Sequence, residues 1–181
     1  KDRMQKLVTA LLDEKEFLSE YGIRSLSKVH EKAYQIHIDG IEYSIDYEPA
    51  ESTVPLFGGN SNWRGPIWMP MNYLFIQALR EYQWYDGNDF LFEYPTGSNK
   101  LLNLKQVSDE LSKRLIHMFE KDEKGNRAIN KNYEKYYQDP HFKDLILFYE
   151  YFHGENGRGL GASHQTGWTA LVANLIEQLE K

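Results

Sequence analysis

The sequence predicts an all-α chain that carries one small β-hairpin. Apolar residues recur at helical spacing in about five separate segments. Alternation of apolar and polar residues is confined to one stretch, around Asp39-Gly40. Long loops rich in Gly, Pro and polar residues, not further strands, connect the helical segments.

Residues 2–18 read as the first helix, with Met4, Leu7, Val8, Leu11 and Leu12 at helical spacing, and Gly22 closes that region. Residues 34–47, YQIHIDGIEYSIDY, place an Asp-Gly turn between two alternating runs, so a two-stranded ribbon is expected there. A loop rich in Gly, Pro, Ser and Asn covers 48–70. A second helix is expected over 71–84, with Leu74, Ala78, Leu79 and Tyr82 on its inner face. Residues 86–102 read as irregular, with Asp86-Gly87 and Pro95-Thr96-Gly97 as turns. Residues 103–120 form the clearest amphipathic helix, with Val107, Leu111, Leu115, Met118 and Phe119 as its stripe. A polar loop runs to about 139. Asp139-Pro140 then starts a helix to about 152, with Asp139 as N-cap and Pro140 in the first turn. A glycine-rich loop occupies 153–166. The last helix, 167–179, turns Trp168, Leu171, Val172, Leu175, Ile176 and Leu179 inward.

Composition narrows the function classes. A chain of 181 residues suits one domain or a large piece of one. At 41% hydrophobic and 27% charged, it has the material for a core. The net charge is −6 and no Lys/Arg stripe occurs, which argues against a nucleic-acid surface. No stretch approaches the roughly 20 apolar residues of a membrane span. Without cysteine there is no disulfide framework and no thiolate metal site. The six His are scattered without His-Glu-x-x-His or His-x-His spacing, so no metal is expected, and no Ser has a nucleophile-elbow context. No cofactor is expected. Aromatic residues reach 14%, with 13 Tyr and 4 Trp. Rings with polar edges suit a sugar site, though on composition alone an aromatic-rich core is the plainer reading. The chain starts at Lys1 and enters a helical pattern at once, so its start reads as internal to a longer protein. The working expectation for its compartment is the cytoplasm.

Three segments carry candidate chemistry. In LILFYEYFHGE, 145–155, Glu150 sits within an almost wholly apolar run. A carboxylate in such surroundings costs several kcal/mol unless paired, which makes it a candidate acid or base. The plain alternative is a Glu at a helix end that reaches solvent or an Arg. In GGNSNWRGPIW, 58–68, Trp63 and Trp68 can stack on sugar faces, Arg64 can bond hydroxyls, and Gly65 lets the backbone approach a ligand. Those Trp could instead plug a core, with Arg64 in a structural ion pair. In GRGLGASHQTGW, 157–168, His164, Gln165 and Trp168 precede a helix and fit a site lining. A tight inter-helix turn is the alternative. A phosphate loop is excluded, because the segment follows no strand and lacks the Gly-Lys-Ser/Thr ending.

Taken together, GIRSLS at 22–27, YEPAEST at 47–53, GGNSNWRGPIWMPMNYL at 58–74, PTGS at 95–98 and FYEYFHGENGRGLGASHQTGWTALVANLI at 148–176 resemble glycoside hydrolase family 63, the mannosyl-oligosaccharide glucosidase group. The resemblance spans essentially the whole chain and looks closest to bacterial-type members. It implies a six-hairpin (α/α)6 toroid, of which residues 1–181 would be the C-terminal portion, since a full barrel needs about twelve helices. It implies inverting hydrolysis of α-linked glucosides or short oligosaccharides, with Glu150 as general base. Glu155, in the loop after His153-Gly154, is the rival position. Trp63, Arg64, Gly65, Trp68, His164, Gln165 and Trp168 would line the carbohydrate site. The general-acid segment lies outside these residues, so the isolated chain is expected to be inactive and to self-associate through uncovered faces. The alternative is a non-catalytic carbohydrate-binding or scaffolding remnant of the barrel. A phosphorylase is disfavoured, since it needs an anion site in place of the base.

Overall fold

The structure, a computed structural model, describes residues 1–54 and 62–181. Helix α1 spans Asp2–Leu11 and buries Val8, with Leu12 buried just beyond it. It stops well short of residue 18. The carbonyls of Thr9 and Leu12, which a continuing helix would use, instead accept from Thr96 Oγ1 at 2.7 Å and Thr96 N at 2.9 Å. Asp13 Oδ1 then accepts from the Lys15 N–H and turns the chain. Strands β1 (Leu18–Ser19) and β2 (Gly22–Ile23) follow as a short antiparallel pair.

The expected ribbon forms as β3 (Tyr34–Ile38) and β4 (Ile41–Ile45), in register Tyr34↔Ile45 to Ile38↔Ile41. Asp39 and Gly40 both take positive φ, 51° and 78°, as a type I′ turn demands. The ribbon stands in solvent. Tyr34, Ile36 and Ile38 are 56%, 41% and 51% exposed.

Helix α2 spans Met69–Asp86, with Pro70 in its first turn. Its buried face is Met69, Asn72, Ile76 and Leu79. Leu74 and Tyr82, expected inside together with Ala78, are exposed, as is Ala78. The helix is apolar around much of its circumference, so periodicity alone selects no face. The polar Asn72 defines the real one. Its Oδ1 accepts from Ile23 N at 2.7 Å and its Nδ2 donates to Ile23 O at 3.0 Å, mimicking a strand partner for β2.

Strands β5 (Leu91–Glu93) and β6 (Leu101–Asn103) pair across a region expected to be irregular. Helix α3 (Leu104–His117) begins with a reciprocal capping box of Asn103 and Gln106. Its stripe is the expected one: Val107, Leu111 and Leu115 are buried, as are Met118 and Phe119 beyond its end. A single helical turn, α4, covers Glu134–Tyr137.

The helix expected over 139–152 is not there. Asp139 Oδ1 caps only a local turn, through the His141 N–H. Residues 145–149 have no regular secondary structure, Glu150 lies in a bend, and Tyr151–Phe152 form β7, which pairs with β8 (Gly159–Leu160). A short run of aromatic and branched residues suits a buried strand as well as a buried helix. Here distant partners take the backbone groups that a helix would have paired internally. The carbonyls of Phe148, Tyr149 and Glu150 accept from Gln165 N, Thr169 Oγ1 and Trp168 Nε1.

The chain ends in α5 (Thr166–Thr169) and α6 (Leu171–Leu179), which buries Val172 and Leu175. Of the expected inward residues of this last segment, Ile176 is 43% exposed. The larger of two buried clusters among the described residues runs from Val8 through α2 and α3 to Leu175. Among the described residues the architecture is mixed. Four helices of nine residues or more accompany four two-stranded antiparallel ribbons, and no closed barrel forms. No described helix is long and apolar enough to cross a membrane.

Candidate active site

Four short segments lie side by side. Ile67 bridges Arg24 on one side and Phe152 on the other, and Phe152 pairs with Gly159. Ile67 and Phe152 exchange both backbone hydrogen bonds, at 2.8 and 2.9 Å. Side chains alternate across such a row. Ile67 and Phe152 enter the main core, while Trp68, Tyr151 and Leu160 form a second buried cluster on the opposite face.

Glu150 is half-buried at the open end of the β7–β8 hairpin. Its N–H donates to the Ala162 carbonyl at 2.9 Å, and its Oε2 accepts from the Ala162 N–H at 3.0 Å. The intervening Gly161 has φ of 68°. A Cβ placed there would lie 2.5 Å from Glu150 Oε2, so the close approach of the carboxylate requires glycine.

The aromatic candidates form a stack. The Trp63 and Trp68 rings are parallel at 3.9 Å between centroids, and Trp68 stacks on Tyr151 at 4.7 Å. Trp168 meets Trp68 edge-on at 6.2 Å. Trp68 is 2% exposed and ties its indole N–H to the Asn62 carbonyl, whereas Trp63, at 44%, presents an open face. A cavity of about 170 Å³ lies against Trp63 and Trp68, lined also by Arg24, Ser25, Met71 and Phe75. A larger cleft of about 570 Å³ lies elsewhere, among His117, Lys131, Glu134 and Lys143, and includes none of the expected site residues. The aromatic side has the chemistry for a sugar, because it offers ring faces beside polar groups. The larger cleft offers mixed charge.

The other expected residues divide. Trp168 holds the Glu150 carbonyl through its indole N–H at 2.9 Å. Gln165 supports the same stretch from its backbone, while the exposed His164 ring tilts against Phe148 at 5.8 Å. Arg64 is buried, and its guanidinium is held by Asp46 at 2.8 Å and by Glu48. Hydrogen bonds from Thr53 and the Arg64 charge outweigh the burial of Glu48 and keep its carboxyl below the usual range. Gly65 packs under the Tyr47 ring with φ of 145°. Gly58, Gly59, Asn60 and Ser61 of the same motif lie outside the described residues.

Glu155 has its own surroundings. Its Oε1 accepts from the Tyr47 hydroxyl at 2.5 Å and Arg24 Nε at 3.0 Å, and its Oε2 from Lys28 Nζ at 3.0 Å. Burial alone would raise its pKa, but these three donors outweigh it and hold the value at about 2. Burial and the Glu155 carboxylate together push the Tyr47 hydroxyl well above its ordinary range.

Sequence reasoning assigned no role to Arg24, Tyr47, Tyr151 or Ala162. Arg24 and Tyr47 sit in the segments 22–27 and 47–53, already singled out as motifs. A charged residue between Ile23 and Ser25 was the available signal. Ala162 acts through its backbone, which residue type does not reveal. Among the described residues no three His, Cys, Asp or Glu side chains gather as a metal site.

Comparison with known proteins adds the family. The chain is 52% identical over 182 residues to an uncharacterised protein of Saccharomyces cerevisiae, covering 99% of this chain and 17% of that one. It is 29% identical over 177 residues to the mannosyl-oligosaccharide glucosidase of the same yeast, covering 96% of this chain and 15% of the relative. It is also 28% identical over 116 residues to alpha-glucosidase 2 of Arabidopsis thaliana, covering 64% of this chain and 11% of that protein. The chain thus spans less than a fifth of each of these relatives. They come from a yeast and a plant, so the bacterial-type likeness gains no support. The model of the glycosyl hydrolase family 63 C-terminal domain matches residues 1–178, and the chain belongs to that family.

Proposed function

We propose that this chain supplies the general base and part of the sugar wall of an inverting α-glucosidase. The parent protein would act on α-linked glucosides or short oligosaccharides. Glu150 would take a proton from a water attacking the anomeric carbon, on the face opposite the leaving oxygen. An acid from outside residues 1–181 would protonate that oxygen, roughly 6.5–9.5 Å from the base.

The observation that carries this reading is the placement of the Glu150 carboxylate. One oxygen is anchored by the Ala162 N–H at 3.0 Å. The backbone beneath it is held by donors from Gln165, Trp168 and Thr169. A base must be aimed before it is useful, and this carboxylate is aimed by the Ala162 N–H on a main chain that is itself tied down. The exposed Trp63 ring would supply a platform for the apolar side of a pyranose ring. Glu155 suits the role less. With its pKa near 2 and both oxygens occupied, it is a poor proton acceptor at neutral pH.

The test is Glu150→Gln in the full-length parent protein, assayed on an aryl α-glucoside and a glucose disaccharide. Turnover should fall by about 10²–10⁴-fold with folding retained. Proton NMR of the first product should show the β-anomer. Wild-type turnover by the variant, or release of the α-anomer, would defeat the proposal.

A further inference from the structure

The β7–β8 hairpin carries Glu150 at its open end and Glu155 at its tip, with two residue pairs between them, Tyr151↔Leu160 and Phe152↔Gly159. A two-stranded ribbon this short does not hold its own shape in water. Something else must fix it.

Strand β7 is fixed independently, by the paired hydrogen bonds between Phe152 and Ile67. Strand β8 has less. Tyr133 Oη reaches the Gly159 carbonyl at 3.3 Å. Leu160 packs with Trp68 and Tyr151, Arg158 Nη2 meets Glu51 at 3.1 Å, and the turn adds a further restraint. There Gly154 N donates to the Pro49 carbonyl at 2.8 Å, and Glu155 binds Tyr47, Arg24 and Lys28. Arg24 is itself seated, 6% exposed, with Nη1 donating to the Leu18 carbonyl at 2.5 Å. The Glu155 N–H donates to His153 Nδ1 at 3.1 Å, so these four side chains are the titratable groups bonded to Glu155 or its backbone. Two residues beyond Leu160, strand β8 delivers the Ala162 N–H to Glu150.

We propose that Glu155 is a positioning residue, whose cluster with Arg24, Lys28 and Tyr47 sets the place of β8 and thereby the direction of the Glu150 carboxylate. The consequence for catalysis rests on the reading of Glu150 as the base. Loss of the Glu155 charge leaves β7 pinned to Ile67 and loosens the side that carries Ala162. The effect therefore falls first on the Glu150–Ala162 bond. Glu155 stays anionic down to about pH 2, so the clamp is closed throughout the working range of a glucosidase.

The experiment uses the full-length parent protein with Glu155→Gln and the milder Lys28→Gln, assayed on an aryl α-glucoside beside Glu150→Gln. Glu155→Gln should lower kcat by about 10–100-fold, keep KM within about threefold and displace the acid limb of the kcat–pH profile. Lys28→Gln should do the same more weakly. Amide hydrogen exchange should quicken in a peptide covering 159–163 and stay unchanged at Ile67. A wild-type kcat and pH profile in Glu155→Gln would overturn the proposal. So would a kcat that falls only in step with the folded fraction. If Glu150→Gln keeps full turnover, the base assignment fails instead. The exchange rate at 159–163 then decides the clamp alone, and no change there overturns it.

Discussion

Glu150 and Ala162 bind each other twice: the Glu150 N–H meets the Ala162 carbonyl at 2.9 Å, and the Ala162 N–H meets Glu150 Oε2 at 3.0 Å. One residue's backbone thus fixes both the main chain and the side chain of the other. A carboxylate held this way keeps its direction, as the base proposed for the water-activating step must.

Gly161 is the residue that permits this pair. Its φ of 68° and the 2.5 Å that would separate a Cβ from Glu150 Oε2 both exclude a side chain. Gly161→Ala should cost about 1–3 kcal/mol of stability. In the parent protein it should also reduce kcat by about 10–100-fold, because the carboxylate is pushed off its donor. Chemical denaturation and steady-state kinetics check both effects.

Trp63 and Trp68 lie in one stack but should behave differently. Trp63 is 44% exposed, so Trp63→Ala should raise KM several-fold and barely move the unfolding midpoint. Trp68 is 2% exposed between Trp63 and Tyr151. Trp68→Ala should remove about 3–5 kcal/mol. Calorimetry beside a kinetic titration separates a binding face from a structural one.

The Glu155 cluster gives a pH-dependent stability whose sign follows from the pKa. The folded value of about 2 is below the ordinary carboxylate value of 4.5. Stability from this group is therefore complete above about pH 4.5 and is lost as pH falls toward 2. A shift of that size corresponds to about 3 kcal/mol for a fully buried group. With the side chain 33% exposed, a contribution on the order of 1 kcal/mol is expected. Urea unfolding at pH 6 and pH 3 should show the loss in wild type and a smaller loss in Glu155→Gln.

The isolated chain should self-associate. Trp84 and Tyr85 on α2 are 91% and 85% exposed, and the β3–β4 ribbon shows one face of Tyr34, Ile36, Ile38, Ile41 and Tyr43. Apolar surface of this kind drives association. Light scattering on residues 1–181 should report oligomers, and a clean monomer at high concentration would count against the expectation.

Local signals decided what was legible beforehand. The Asp39-Gly40 ribbon was readable because a type I′ turn depends on two residues. Helix α3 was readable because its apolar stripe repeats at helical spacing. Helix α2 was placed well along the chain, but of its expected inner residues only Leu79 is buried. A helix apolar on most sides is oriented by what packs on it, here Ile23 through Asn72. The expected helix over 139–152 failed for a related reason. An apolar run of that length satisfies either period, and the choice fell to partners more than ten residues away.

By itself the sequence determined that Glu150 is a carboxylate set in an apolar run, that tryptophans and glycines flank it, and that no thiolate metal site or basic surface accompanies it. Those are properties of residue type and order. Only the tertiary structure decided that Glu150 caps a hairpin, that Ala162 holds its carboxylate, and that Arg64 is spent on Asp46 and Glu48. It alone showed that Glu155 is locked to Arg24, Lys28 and Tyr47. Residue pairs 12 to 131 positions apart make these contacts. No local periodicity encodes such pairs. They form because the buried polar groups of one segment need the donors of another.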